Sequence, residues 1–138
     1  MIVIHTDASC KDGYCCWAYK SSHERHYRTG IVQTNNIAAV ETLAAIKGIQ
    51  AAPKNKKILI VSDSLITVKI IQQYGTAWSY TTNAKDYYRK IRTQLIELLH
   101  TRHVEGLWIA SDNSNATHLE VDNLAKTMLQ YYLKGVRL

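Results

Sequence analysis

Met1-Ile-Val-Ile-His-Thr-Asp-Ala-Ser-Cys10 opens the chain as a strongly β-forming run with a carboxylate near its end. Successive side chains of a strand point to opposite sides, so Val3, His5 and Asp7 share one face and Ile2, Ile4 and Thr6 the other. A carboxylate buried there without compensation is costly, so Asp7 needs either a cation beside it or a place at an open edge of the sheet.

Working outward from this strand, Lys11-Asp12-Gly13 supplies turn residues and Tyr14 to Lys20 a second β-rich run, which together predict a hairpin. Arg25 to Val32 reads as a third strand, completing an antiparallel meander. The texture changes at Thr34-Asn35-Asn36, loop and helix-cap chemistry, before a helix over 38–52. On that helix Glu41 shares a face with Ala44, Ala45, Gly48 and Ala52, small residues that allow close packing on a sheet. Ile58-Leu-Ile-Val61 is a continuous apolar run, as in a strand buried on both faces. Directly after it come Ser62-Asp63-Ser64 and a helix over 65–73, which puts Asp63 at a strand's C-terminal end, the edge where open α/β sheets bind ligands.

The segment 76–82, with Trp78 and Tyr80, reads as a loop. A long amphipathic helix over 83–101 follows, burying Ala84, Tyr88, Ile91, Leu95 and Leu98 and aligning Lys85, Arg89 and Arg92 on another face. Residues 103–110 form a fifth strand and 117–133 a last helix, with Thr117 and Glu120 as a capping box and Asp122 in its first turns.

At 138 residues the chain is one domain's worth, 1–138, able to bury a core without disulfides or structural metal. Its three cysteines show no zinc-site spacing, which suits a reducing cytosol. No apolar run approaches the roughly 20 residues of a membrane span, and no export signal is evident at the N-terminus. The chain is therefore expected to be soluble, cytoplasmic and monomeric. A net charge of +6 favours an anionic partner, nucleic acid being the usual one for a small basic domain.

The order β-β-β-α-β-α-α-β-α, with acidic residues in the first strand, the first helix, after the fourth strand and in the last helix, resembles the ribonuclease H fold and type 1 ribonuclease H in particular. The pieces that carry the resemblance are Thr6-Asp7-Ala8-Ser9-Cys10, Val40-Glu41-Thr-Leu-Ala-Ala-Ile-Lys-Gly-Ile49, Val61-Ser62-Asp63-Ser64 and Val121-Asp122-Asn-Leu-Ala125. It implies a five-stranded mixed sheet, three antiparallel strands then two parallel ones, with helices on both faces. It also implies a metal-dependent endonuclease that cuts the RNA strand of RNA/DNA hybrids. Rival readings are another nuclease on this fold, acting on DNA junctions or double-stranded RNA, and a non-catalytic nucleic-acid-binding domain.

The chemistry explains the residue types. Phosphodiester hydrolysis needs an activated water and a stabilised leaving oxygen, and two metal ions supply both. Mg²⁺ or Mn²⁺ prefers carboxylate oxygen, so the resemblance assigns Asp7, Glu41, Asp63 and Asp122 as catalytic metal ligands for two ions per site. Taken singly, each has a plainer explanation: Asp63 and Asp122 as cap or turn residues, Glu41 as a solvent-facing helix residue, Asp7 satisfied by backbone donors.

Two departures from the family pattern stand out. Glu41 follows Asn36 by five positions, and a stricter gap would put Ala39 in the catalytic place; the small-residue pattern through Ala44, Ala45 and Gly48 selects Glu41. The position ten before Asp122, where many members have a loop histidine, is Asp112. His118, where the family often has Asn, is the nearest imidazole and the candidate for an auxiliary proton-transfer role, against a plain helix-surface histidine. By resemblance Thr34, Asn35, Asn36 and the main chain around Ser9 and Cys10 contact the substrate, and the basic helix from Lys85 through Arg89 to Arg92 adds salt-dependent attraction for phosphate.

Overall fold

Strand β1 (Ile2–Lys11) lies at the centre of a five-stranded sheet ordered β3-β2-β1-β4-β5. The computed structural model describes residues 1–74, 86–111 and 115–135. Asp12 and Gly13 turn β1 into β2 (Tyr14–Ser21), both with positive φ, 54° and 83°. Such an Asp-Gly turn twists in the same sense as the strands it joins, which is why it closes a two-residue hairpin. β3 (Arg28–Val32) pairs antiparallel with β2, while β4 (Ile58–Ser62) runs parallel to β1 and β5 (Val104–Trp108) parallel to β4. The α/β class and the mixed sheet expected from the sequence are present.

Helix α1 (Ile37–Ala51) packs on β1 and β2 and against α3 (Asp86–Thr101), and α2 (Leu65–Gln72) packs beside β4 and β5. Helix α4 (Ala116–Leu133) also packs on β1 and β2. Strand alternation tells the two faces apart. Gly48 of α1 lies over Ile4, whereas His118 of α4 lies near His5, and adjacent strand residues point to opposite sides. The larger core, with Ile4, Ile46, Ile49, Ile60 and Leu95 among its most buried members, fills the α1 side. Ala18, Val121 and Ala125 pack under α4 on the other.

Gly48 sets how closely α1 approaches the sheet. A Cβ added there would stand 2.8 Å from Cγ2 of the fully buried Ile4, too near unless the Ile4 side chain or the helix shifts. Gly48→Val is therefore expected to lower stability by roughly 1–3 kcal/mol through overpacking, read as a lower denaturant midpoint with an unchanged slope. An unchanged midpoint would mean that the helix lies farther out than described.

Several local expectations are corrected. β3 begins at Arg28 instead of Arg25, because residues 22–27 are drawn into a turn in which the Lys20 ammonium donates to the carbonyls of Ser21 and Glu24. α4 begins at Ala116, and Asn115 caps it by accepting from the His118 N–H at 3.0 Å. The Thr117–Glu120 capping box is thus absent, and Glu120 accepts from the Tyr27 hydroxyl instead. Cys10 and Cys15, opposite one another across the hairpin with Cα atoms 4.0 Å apart, form a disulfide that the spacing of the cysteines had not suggested. Ala84 and the loop with Trp78 and Tyr80 lie outside the described residues.

Candidate active site

β1 and β4 are neighbours in space although most of the N-terminal half of the chain separates them, and their parallel pairing brings the C-terminal ends of both to one edge of the sheet. Asp7 stands on β1 just past the last residue paired with β4, and Asp63 directly follows β4. α4 crosses the same edge from one face with His118 and Asp122, and α1 brings Glu41 from the other.

Asp7 is 3% exposed, so it is not an open-edge carboxylate. Its Oδ1 accepts from the Ala8 N–H at 2.8 Å. That single donor does not hold it ionised: burial foremost, then the charge of Asp63 and the carboxyl of Asp122, push its pKa up to about 8. Glu41 is pushed up to about 7, mainly by burial, with Asp63 adding to the rise and a hydrogen bond from Ser64 opposing it. Asp122 moves the other way. Burial would raise it, but hydrogen bonds with Lys126 and Asp7 outweigh that, and the Lys126 ammonium lies 3.0 Å from its Oδ2.

The two raised values say that burial first, and the neighbouring Asp63 with it, make Asp7 and Glu41 costly to ionise, whereas Lys126 keeps Asp122 easily ionised. Asp7, Asp63 and His118 offer ligand atoms that all lie within 4.8 Å of one another. Carboxylate oxygens gathered in this way and joined by a buried imidazole with neither nitrogen hydrogen-bonded among the described residues fit a divalent cation.

His118 is not a surface histidine. It is 1% exposed, with Nε2 3.7 Å from Asp63 Oδ2 and 3.9 Å from Asp7 Oδ2. The His5 ring lies 6.2 Å away, and burial, then His118, lower its pKa. Asp112 lies outside the described residues.

The register of α1 is clear in the structure. Ala39 is fully buried in the core and its N–H is tied to the Asn36 side chain, so the residue of α1 that reaches the carboxylates is Glu41. A chain of hydroxyls holds that junction. Thr42 Oγ1 and Thr67 Oγ1 are 2.9 Å apart, as are Thr67 Oγ1 and Ser64 Oγ, which ties α1 to the cap of α2 beside Glu41. Nothing in the polar pattern of the sequence singled out Thr42 or Thr67. Lys126 was also overlooked, although its place four residues after Asp122 on a helix is a readable sign of an ion pair.

The expected substrate-contacting residues lie to one side of this cluster. Asn35 is exposed, while Asn36 caps α1 and is half-buried. Ser9 and Cys10 are half-buried on β1, and Cys15, bonded to Cys10, has its Sγ 3.2 Å from the Thr34 carbonyl oxygen. An open groove of about 650 Å³ runs from Thr34–Asn36 past Ile66 to Tyr87 and Tyr88 of α3. Arg89 is exposed on that helix, and Lys85 lies outside the described residues.

Comparison with known proteins gives concordant results. The chain is 27% identical over 146 aligned positions to a ribonuclease H of Nitrosospira multiformis, with 99% of this chain and 94% of that protein covered. It is 25% identical over 136 positions to a ribonuclease H of Methylobacillus flagellatus, covering 91% and 89% respectively. A family model described as RNase H matches residues 1–130, nearly the whole chain, and on that match and the fold beneath it the chain belongs to the RNase H family.

Proposed function

We propose that this single-domain protein hydrolyses the RNA strand of RNA/DNA hybrids with Asp7, Glu41, Asp63 and Asp122 as the ligands of two Mg²⁺ or Mn²⁺ ions. The observation that carries this reading is the meeting of acidic groups from β1, α1, the end of β4 and α4 at one sheet edge, two of them with pKa values lifted to about 8 and 7 by burial first and by the neighbouring Asp63. When bound, the ions make an attacking water more nucleophilic and stabilise the departing oxygen.

The chain's own residues do the rest. Asp7, fixed by the Ala8 N–H, and Asp63 set the floor of the site. The Ser64–Thr67–Thr42 hydroxyls hold Glu41 in place, and Lys126 steadies Asp122. The groove from Thr34–Asn36 to Tyr87 gives a duplex a path beside the cluster. Thr34, Asn35, Asn36 and the main chain at Ser9 and Cys10 are the proposed contacts to sugar and backbone, with Lys85 and Arg89 attracting phosphate. The wide minor groove of a hybrid presents 2′-hydroxyls to such contacts without base reading. We place the protein in the cytoplasm as a monomer. None of the described helices is long and apolar enough to cross a membrane.

Cleavage of end-labelled hybrid, double-stranded RNA, single-stranded RNA and a four-way DNA junction in Mg²⁺ tests this assignment. Preference for the RNA strand of the hybrid is expected. Equal or faster cleavage of double-stranded RNA or the junction would favour another nuclease of this fold, and binding without cleavage of any of them a non-catalytic domain.

Backbone recognition makes a further prediction. Asn35→Ala is expected to raise KM for hybrids of any sequence without changing stability. Asn36→Ala should do the same and also cost about 1 kcal/mol, because Asn36 caps α1. Affinity should fall as salt rises. Cleavage confined to one short base sequence, or binding indifferent to salt, would contradict it.

A further inference from the structure

We infer that His118 is a direct nitrogen ligand in the cation site, making it a mixed imidazole–carboxylate centre that binds a divalent transition ion such as Mn²⁺ in preference to Mg²⁺; this rests on the proposed carboxylate site and adds a ligand to it. The inference starts from a cost. His118 is 1% exposed, yet neither Nδ1 nor Nε2 has a hydrogen-bond partner among the described residues. A buried polar group left unsatisfied destabilises a fold.

The ring is held where it is by its own helix. Asn115 caps α4 by binding the His118 N–H, which fixes the first turn and seats the side chain over β1 beside His5. Nε2 then faces two carboxylates, 3.7 Å from Asp63 Oδ2 and 3.9 Å from Asp7 Oδ2. Both gaps are longer than an N–H···O hydrogen bond, which ends near 3.2 Å, so the imidazole does not serve as a donor to either acid. They suit a shared cation better: two donor atoms each about 2.1 Å from one ion stand at most about 4.2 Å apart. An ion there would give Nε2 its partner and neutralise the two acids facing it.

The ligand type sets the preference. Mg²⁺ takes oxygen and holds its water, whereas Mn²⁺, also at home among carboxylates, accepts an imidazole nitrogen more readily than Mg²⁺ does, and the later divalent ions increasingly so. A carboxylate or amide oxygen in place of His118 would leave the site an all-oxygen one, better matched to Mg²⁺. His5, 6.2 Å from His118 ring to ring, packs beside the ligand without needing to bind the ion.

Pulsed EPR of the intact protein loaded with Mn²⁺ tests the ligand directly, without substrate or turnover. Electron spin echo modulation from ¹⁴N is expected in the wild type and is expected to vanish in His118→Asn. In parallel, free Mn²⁺ is followed by EPR to obtain its Kd, and Mg²⁺ is used as competitor to obtain the second. His118→Asn should weaken Mn²⁺ by about tenfold or more and Mg²⁺ by less than about threefold, narrowing the ratio between them.

The wild-type spectrum needs no variant, so a variant that folds poorly does not blunt the test. Absence of nitrogen modulation in the wild type, as an imidazolium bridging the two acids would give, overturns the inference. So does modulation that persists in His118→Asn, or an unchanged Mn²⁺/Mg²⁺ ratio. Asp7→Asn separates the two levels. Its loss of Mn²⁺ binding beside a wild type without nitrogen modulation removes the imidazole ligand alone, whereas normal Mn²⁺ binding by Asp7→Asn removes the carboxylate site and the inference with it.

Discussion

In Asp7→Asn, turnover of an RNA/DNA hybrid in Mg²⁺ is expected to fall by about 10³-fold or more, while the metal-free protein becomes more stable at pH 8. The first effect follows from losing a ligand at a site where bound cations stabilise developing charge by several kcal/mol, each 1.36 kcal/mol being tenfold in rate. The second follows from the pKa of about 8 that burial, then Asp63 and Asp122, impose on Asp7. In the unfolded chain the same carboxyl titrates near 4, so between roughly pH 4 and 8 the native protein holds a proton that the unfolded chain has released. Stability conferred by that proton is present at the acid end of the window and lost as pH rises through it.

In chelator, the wild-type Tm should therefore decline from pH 5 to pH 8, and Asp7→Asn should show a shallower decline. At pH 8 the variant should be the more stable by about 1 kcal/mol, roughly 3 °C. Mg²⁺ or Mn²⁺ should raise the wild-type Tm and leave that of the variant nearly unchanged, since only a folded state that binds the ion is stabilised by it. Retained turnover, or an equal Tm response to the ion in both proteins, would remove Asp7 from the site.

Glu41→Gln carries the second large effect, an expected loss of about 10²-fold or more in kcat with folding intact, on the same transition-state arithmetic. Glu41 is the one acid that α1 sends to the site, and its pKa of about 7 reflects burial first and Asp63 second. Ala39 provides the control. It is fully buried in the core, so Ala39→Gly should cost about 1 kcal/mol of helix stability and keep its rate. Full activity in Glu41→Gln beside an inactive, folded Ala39→Gly would show that the helix enters the site in the other register.

The skeleton of the fold was readable because its signals are local. Asp12-Gly13 is a hairpin turn by its backbone chemistry alone, and the apolar run Ile58 to Val61 belongs in a doubly covered strand by its hydropathy alone. Where tertiary contacts decide, the sequence misled. β3 lost its first residues to a turn held by Lys20, and α4 took Asn115, whose side chain accepts from the His118 N–H, as its cap, which leaves Thr117 inside the helix. The Cys10–Cys15 bond depends on hairpin register, which puts the two cysteines opposite one another although four residues lie between them.

The candidate site divides in the same way. The acids could be nominated from their places on elements, but what surrounds each could not. Whether Asp7 is buried depends on α4 crossing its face, and the burial of His118 depends on the same crossing. Helical periodicity around His118 does not reveal this: Leu119 and Glu120 beside it are exposed, and the sequence gives no sign that the next residue back turns inward to face two carboxylates.

The most direct measurement is cleavage of an RNA/DNA hybrid, labelled in either strand, by the wild-type protein in Mg²⁺ and again in excess chelator, with circular dichroism recorded under both conditions. Cuts in the RNA strand alone, dependent on the ion while the fold persists without it, are the result this account predicts; cleavage that continues undiminished in chelator, or an intact RNA strand in Mg²⁺ and in Mn²⁺, would contradict it.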